Sequence, residues 1–199
     1  MKGQVITALT PQQKMVSVNN RFGNTNIAQQ QGTTRVLFDS LELNGSTELR
    51  FFENVSSRNY PFTNIGSEGN RLTVGDTFVV QKIYFAVGTL DEDTGAILSV
   101  EPFFSLGWEP FMKGEFSFQI ANSQVIKQLP TEIFFSELNP TNINQRDSAF
   151  GTFTDIVIPP LLEYVLTYRV APYTAEPIPF RLFCFLEGSA GIISPQTTF

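Results

Sequence analysis

Leu162-Glu163-Tyr164-Val165-Leu166-Thr167-Tyr168-Arg169-Val170 decides how this chain is read. Leu162, Tyr164, Leu166, Tyr168 and Val170 fall at every second position, with Glu163, Val165, Thr167 and Arg169 between them. Successive side chains of an extended chain point to opposite faces, so the alternation predicts a strand with one buried face. Working outward, Glu115-Phe116-Ser117-Phe118-Gln119-Ile120 repeats the pattern, with Phe116, Phe118 and Ile120 pointing one way. Past a proline-rich connector at 172–179, Phe180, Leu182, Cys184 and Leu186 share one face of a final strand and Arg181, Phe183 and Phe185 the other. Further upstream, Phe78, Val80, Tyr84 and Ala86 alternate with Val79, Gln81, Ile83, Phe85 and Val87. Nearly every one of these is apolar, which predicts a strand covered on both faces. Asp91-Glu92-Asp93-Thr94-Gly95 then turns the chain into a hairpin partner at 96–100.

Residues 123–129 and 131–135 read as short strands separated by Pro130, and the helical pattern is limited to one turn near 136–138. The result is about eight to ten short strands divided by regular turn signals. With 12 prolines and 14 glycines among 199 residues, that cadence argues for an all-β sandwich or barrel. A parallel β–α–β arrangement is excluded because no segment can serve as a crossover helix.

Composition narrows the function. The chain contains no histidine and a single cysteine, Cys184. Histidine is the commonest general base and metal ligand, so Ser-His-Asp, Cys-His and cupin-type metal sites cannot be built. Phosphate-cradling glycine loops are missing from the sequence as well. Carboxylate pairs remain as a catalytic route, but among 19 acids some pair will always lie close, and the expectation is a non-enzyme without cofactor or metal. The acidic run at 91–95 lacks the spaced ligands of a calcium loop and is read as a tight turn. Cys184, on an apolar strand face with no basic neighbour, is read as a buried small hydrophobe. Only 16% of residues are charged, against a typical quarter, which suits a surface covered by neighbouring molecules.

Charge divides the chain unevenly. Residues 1–38 carry Lys2, Lys14, Arg21 and Arg35 and no acid, whereas the remainder is strongly acidic. Rich in Asn and Gln and poor in periodicity, residues 1–34 are read as an arm, flexible alone or ordered by neighbours, ahead of a domain at 35–199. The four cations predict only weak, screened contact with nucleic acid or anionic lipid, so the arm is expected to tether neighbours mainly through hydrogen bonding and shape. A second candidate surface is the stretch from 103 to 114, which breaks strand periodicity yet carries Phe103, Phe104, Leu106, Trp108, Phe111 and Met112. So apolar a loop is expected under its own domain or at a subunit interface; an aromatic platform for sugar rings is a further reading. The first residues hold no apolar stretch of signal-peptide length, which predicts a chain made in the cytoplasm and not exported by a cleaved leader.

Two passages resemble a known family. Pro61-Phe62-Thr63-Asn64-Ile65 followed by Asn70-Arg71-Leu72-Thr73-Val74-Gly75-Asp76-Thr77-Phe78-Val79-Val80-Gln81-Lys82-Ile83 resembles the opening strands of jelly-roll capsid proteins of tailless, internal-membrane bacteriophages. Ile156-Val157-Ile158-Pro159-Pro160-Leu161-Leu162-Glu163-Tyr164, taken with Phe180-Arg181-Leu182-Phe183-Cys184-Phe185-Leu186-Glu187-Gly188, is similar to their late strands. The resemblance implies a single jelly-roll β-sandwich of about eight antiparallel strands with an extended N-terminal arm. It implies a virion structural protein, made in the host cytoplasm, that self-assembles as a homo-oligomer with copies of itself and other virion proteins, with Lys2, Lys14, Arg21 and Arg35 of the arm facing the interior. A phage spike or receptor- or carbohydrate-binding β-sandwich domain is the alternative.

Overall fold

The computed structural model describes residues 10–21, 30–53, 58–65, 69–91, 93–102, 113–134, 149–172 and 180–193. Among them lie one α-helix, α1 (Pro11–Arg21), and nine strands. These are β1 (Gln30–Glu42), β2 (Glu48–Phe51), β3 (Thr77–Leu90), β4 (Ile97–Pro102), β5 (Glu115–Ile120), β6 (Ser123–Pro130), β7 (Ala149–Ile158), β8 (Tyr164–Arg169) and β9 (Phe180–Ile193).

The strands form two antiparallel sheets. The first runs β1-β9-β3, and the far side of β3 is shared by β7, against residues 78–84, and β4, against residues 86–90. The second runs β2-β8-β5-β6. Consecutive strands mostly change sheet, so the inner faces of both are stitched around one core. The all-β sandwich expected from the alternation is what the chain forms.

The core is aromatic. Phe51, Phe85, Phe116, Phe118, Tyr164 and Tyr168 are each at most 1% exposed, alongside Leu166, Leu182, Cys184 and Leu186. Phe85 sits at the centre, its ring 4.9 Å from that of Tyr168, 5.5 Å from Phe134, 5.8 Å from Phe116 and 6.0 Å from Phe51. Such pairs add about 0.5–1.5 kcal/mol each beyond the area they bury. The face assignments made for β5, β8 and β9 hold: Phe116, Phe118 and Ile120, then Tyr164, Leu166, Tyr168 and Val170, then Leu182, Cys184 and Leu186 all enter the core.

β3 departs from strict alternation. Between Val80 and Lys82 the pairing with β9 shifts by one residue, and the pairing with β7 jumps from Ile156 to Gly151. This bulge puts Phe78 and Val80 on the same inner face as Ile83, Phe85 and Val87, where uninterrupted alternation predicts opposite faces. Gly188 makes the bulge possible. It lies across from Val80, and a Cβ there would fall deep inside the Val79 carbonyl oxygen and 2.9 Å from its carbonyl carbon.

Four further expectations are corrected. Residues 131–134 form a single 3₁₀ turn instead of a strand. Pro130 ends β6, and the Thr131 N–H and hydroxyl both donate to the Gly114 carbonyl, at 2.9 and 3.0 Å. Residues 11–21 are helical, packed on β3, β7 and β9 of the first sheet, with Met15 buried. β1 begins at Gln30, paired with Ile193, so the sheet takes in the last residues of the segment read as an arm. Pro61–Ile65 lies across β1 through one isolated bridge, Asp39 to Thr63, and is not an opening strand of either sheet. The helical turn expected near 136–138 falls outside the described residues.

Candidate functional site

The segment after β2 wraps the outer edge of β1, and the polar residues it gathers form the densest hydrogen-bonded cluster in the described structure. Asp39 faces the core side of β1 and is fully buried. Its carboxylate accepts from the Phe52 N–H at 2.7 Å, from Arg58 Nε at 3.0 Å and from Arg58 Nη2 at 2.7 Å. Arg58 also donates to the Glu53 carbonyl at 3.1 Å. One buried carboxylate therefore ties the first sheet to the turn leaving the second, and the fork of Arg58 fits two of its lone pairs.

On the outer side of the same edge, Arg181 of β9 is 6% exposed and lies 4.4 Å over the Phe62 ring. It donates to the Ser40 hydroxyl at 3.2 Å, the Ser40 carbonyl at 3.1 Å and Glu42 at 2.7 Å. Burial pulls its pKa below the usual guanidinium value, opposed mainly by Glu42. The Ser40 hydroxyl in turn donates to the Phe62 carbonyl at 2.7 Å.

Between these clusters opens a groove of about 680 Å³, lined by Glu42, Glu48, Arg50, Glu53, Arg58 and Arg181 among others. Its charges are already spoken for: Arg181 by Glu42, Arg50 by Glu53 at 2.7 Å, and Glu48 by Arg169 at 3.0 Å. Proton transfer needs a group whose partner is the substrate, and here the partners are one another. The groove can hold a polar molecule by hydrogen bonds. Among the described residues no three acid or cysteine side chains converge as a metal site would require.

The two outward sheet faces differ. The second sheet presents the ionic ladder Glu48–Arg169–Glu115, with Arg169 3.6 Å from Glu115. On the first sheet, Phe38, Tyr84, Phe183 and Phe185 form an aromatic band; Tyr84 and Phe185 stack at 4.7 Å and Phe38 lies 5.7 Å from Phe185. Burial raises the Tyr84 phenol pKa, with help from Glu187 and Cys184. α1 lies further along this face.

Of the candidates raised from the sequence, Lys14 on α1 is bound to Asp155 of β7 at 3.1 Å, and Arg35 of β1 meets Asp76 at 3.4 Å. Arg21 is exposed at the end of α1. The structure thus neutralises two of the four cations within the domain. Lys2, Phe103, Phe104, Leu106, Trp108, Phe111 and Met112 lie outside the described residues. Asp91 does make a turn: its side chain accepts from the Thr94 hydroxyl and N–H, both at 2.7 Å, which lowers its pKa. Cys184 is buried, and burial first, then the nearby Asp39, pushes its thiol pKa well up.

Asp39, Arg58 and Arg181 were not singled out from the sequence. Asp39 follows the apolar run Val36-Leu37-Phe38 on the same strand face as Leu37, where an inward carboxylate needs a partner, and that misfit is the signal by which it could have been found. No protein-family model matches the chain, and no curated protein or solved structure matches it.

Proposed function

We propose that the chain is a single jelly roll that serves as a capsid or shell subunit of a bacteriophage virion. One observation carries this reading: the strand order. Set aside β4 and number the remaining eight in sequence. One sheet then runs first-eighth-third-sixth and the other second-seventh-fourth-fifth. That order supports a jelly roll, the double-sheet arrangement of two Greek keys used by viral shells, lectins and cupins. The absence of histidine removes the metal chemistry of cupins. A low-charge surface favours repeated lateral contacts over free diffusion. Closed symmetry would multiply such contacts into a particle.

The test is mass photometry and negative-stain electron microscopy of the purified full chain over a range of concentrations. Discrete rings, capsomers or particles are expected. A strictly monomeric species at high concentration refutes the shell reading. The groove between Arg58 and Arg181 beside Phe62 favours a second reading, a spike or carbohydrate-binding domain. Monomer together with a positive glycan-array signal, lost in Arg181→Gln, is the result that reading requires.

A further inference from the structure

The edge of β1 is half covered and half open. Its pairing with β9 runs without a register shift from Gln30 to Glu42. In an antiparallel ladder alternate residues direct their N–H and C=O groups to opposite neighbours. Phe38 shows which residues turn outward. Its N–H donates to Asn64 Oδ1 at 2.7 Å, and its carbonyl accepts from the Asn64 N–H at 3.2 Å and the Thr63 hydroxyl at 2.9 Å. The Val36 carbonyl accepts from Asn64 Nδ2 at 2.6 Å. The even-numbered residues therefore face away from β9. Residues 63–64 occupy the Val36 carbonyl and both Phe38 groups; at Gln30, Gly32 and Thr34 no described strand lies alongside. Gly32, Thr33 and Thr34 are exposed, and a Cβ placed on Gly32 would meet nothing within 4 Å.

The other sheet edges carry features that oppose pairing. β2 is four residues long and flanked by ion pairs. β6 contains Lys127, ends on Pro130 and is irregular against β5. β4 ends on Glu101 and Pro102, and β7 carries Asp155 beneath Lys14. The stretch Gln30-Gln31-Gly32-Thr33-Thr34 has no charge and no proline.

We propose that this open edge pairs with the same edge of a second copy, antiparallel about a two-fold axis at Gly32. This names a contact within the shell reading above and rests on it. The register follows from the outward groups. Centring on Gly32 brings Gln30 opposite Thr34 and Thr34 opposite Gln30, giving about six N–H···O bonds, two for each facing pair. Moving the axis by one residue in either direction loses one facing pair, because Val36 is already held by Asn64. A two-fold needs a self-complementary surface, and an uncharged strand edge with glycine on the axis supplies one. A strand of opposite charge or an unrelated apolar groove is not what this edge fits.

Two variants of the full chain test it. In Gly32→Cys the two thiols of a pair would sit on residues with Cα atoms about 5.5 Å apart, within disulfide range. Oxidation with copper–phenanthroline is expected to give a covalent dimer, while wild type, whose one cysteine is buried, stays uncrosslinked. Gly32→Pro removes an N–H that points away from β9, so the domain should keep its circular dichroism spectrum while self-association weakens about tenfold or more. If wild type assembles, yet Gly32→Cys gives no dimer and Gly32→Pro assembles normally, the edge pairing is overturned and the shell reading survives. If wild type is monomeric throughout, both fall. Crosslinks formed only in mixtures of Gly32→Cys with Val100→Cys would show head-to-tail contact with β4, which also overturns the two-fold.

Discussion

Replacing Asp39 with asparagine keeps the shape of the side chain and removes its charge. The carboxylate accepts three hydrogen bonds at 2.7–3.0 Å, two of them from a guanidinium that is itself only 16% exposed. Asparagine can still accept from the Phe52 N–H, but its amide group confronts Arg58 with donors. Breaking a buried pair by removing one partner costs about 3–5 kcal/mol. The partial exposure of Arg58 lets water recover some of this, so the expected loss is about 2–4 kcal/mol. For a domain of this size each kcal/mol moves Tm by about 2–4 °C, which predicts a fall of roughly 4–16 °C.

The assay is urea unfolding at a concentration where the chain is monomeric, with the midpoint shifting at constant slope. The sharper test is a double-mutant cycle. Asp39→Asn with Arg58→Met removes the stranded guanidinium, so the double variant should be more stable than Asp39→Asn alone. A single variant within about 1 kcal/mol of wild type, or a double variant whose loss equals the sum of the singles, refutes the reasoning. Because Asp39 and Arg58 hold the segment that leads to Asn64, the same substitution should also loosen the cover over residues 36–38 and increase association through β1.

Gly188→Ala should cost about 2–4 kcal/mol or prevent folding, since its Cβ meets the Val79 backbone, which cannot swing aside as a side chain can; expression of soluble protein and its thermal midpoint report this. Cys184 should resist a thiol reagent in the native state at pH 8–9 and react only as fast as the domain opens, because burial raises its pKa; rapid labelling without unfolding contradicts its placement. The depressed pKa of Asp91 means that its stabilising bonds to Thr94 are present above the unfolded carboxylate value and are lost as pH falls through the lower folded value. Hydrogen exchange at the Thr94 amide, corrected for intrinsic rate, should therefore keep its protection down through the ordinary carboxylate range and lose it only at more acid pH, and an Asp91→Asn variant should lose that pH dependence.

Period-two alternation was enough for β5, β8 and β9, because every second residue of each reaches the core without an inserted residue between them. It failed at β3, where Gln81 and Lys82 are consecutive exposed residues inside an apolar run. Two polar neighbours in a strand are the mark of an inserted residue, and the phase of every position beyond them reverses. α1 was missed for a different reason. Its buried anchor is Met15, too little for a helical stripe, yet its start is written locally in Thr10-Pro11-Gln12-Gln13. Thr10 Oγ1 accepts from the Gln13 N–H at 3.3 Å and Gln13 Oε1 from the Thr10 N–H at 2.9 Å, with proline at the first helical position. Asp39 and Arg58 had no periodic signature at all. They lie 19 residues apart, and only the chain path around β1 brings them together.

The placement of the cations changes which force could hold copies together. Four basic residues without an acid predict only weak, screened contact with nucleic acid or lipid, and a tether made mainly by hydrogen bonding and shape. Lys14 and Arg35 spend their charge on Asp155 and Asp76 in half-buried pairs, which leaves little field at a distance in salt. What the same stretch of chain offers in exchange is geometry. Gln30, Gly32 and Thr34 hold three backbone donors and three acceptors in a line, fixed by the pairing of β1 with β9. Hydrogen bonds between two edges already ordered in this way cost little further conformational entropy, whereas a free arm must be ordered residue by residue as it docks. If this segment joins subunits, it does so as a pre-ordered strand edge more than as a charged tail.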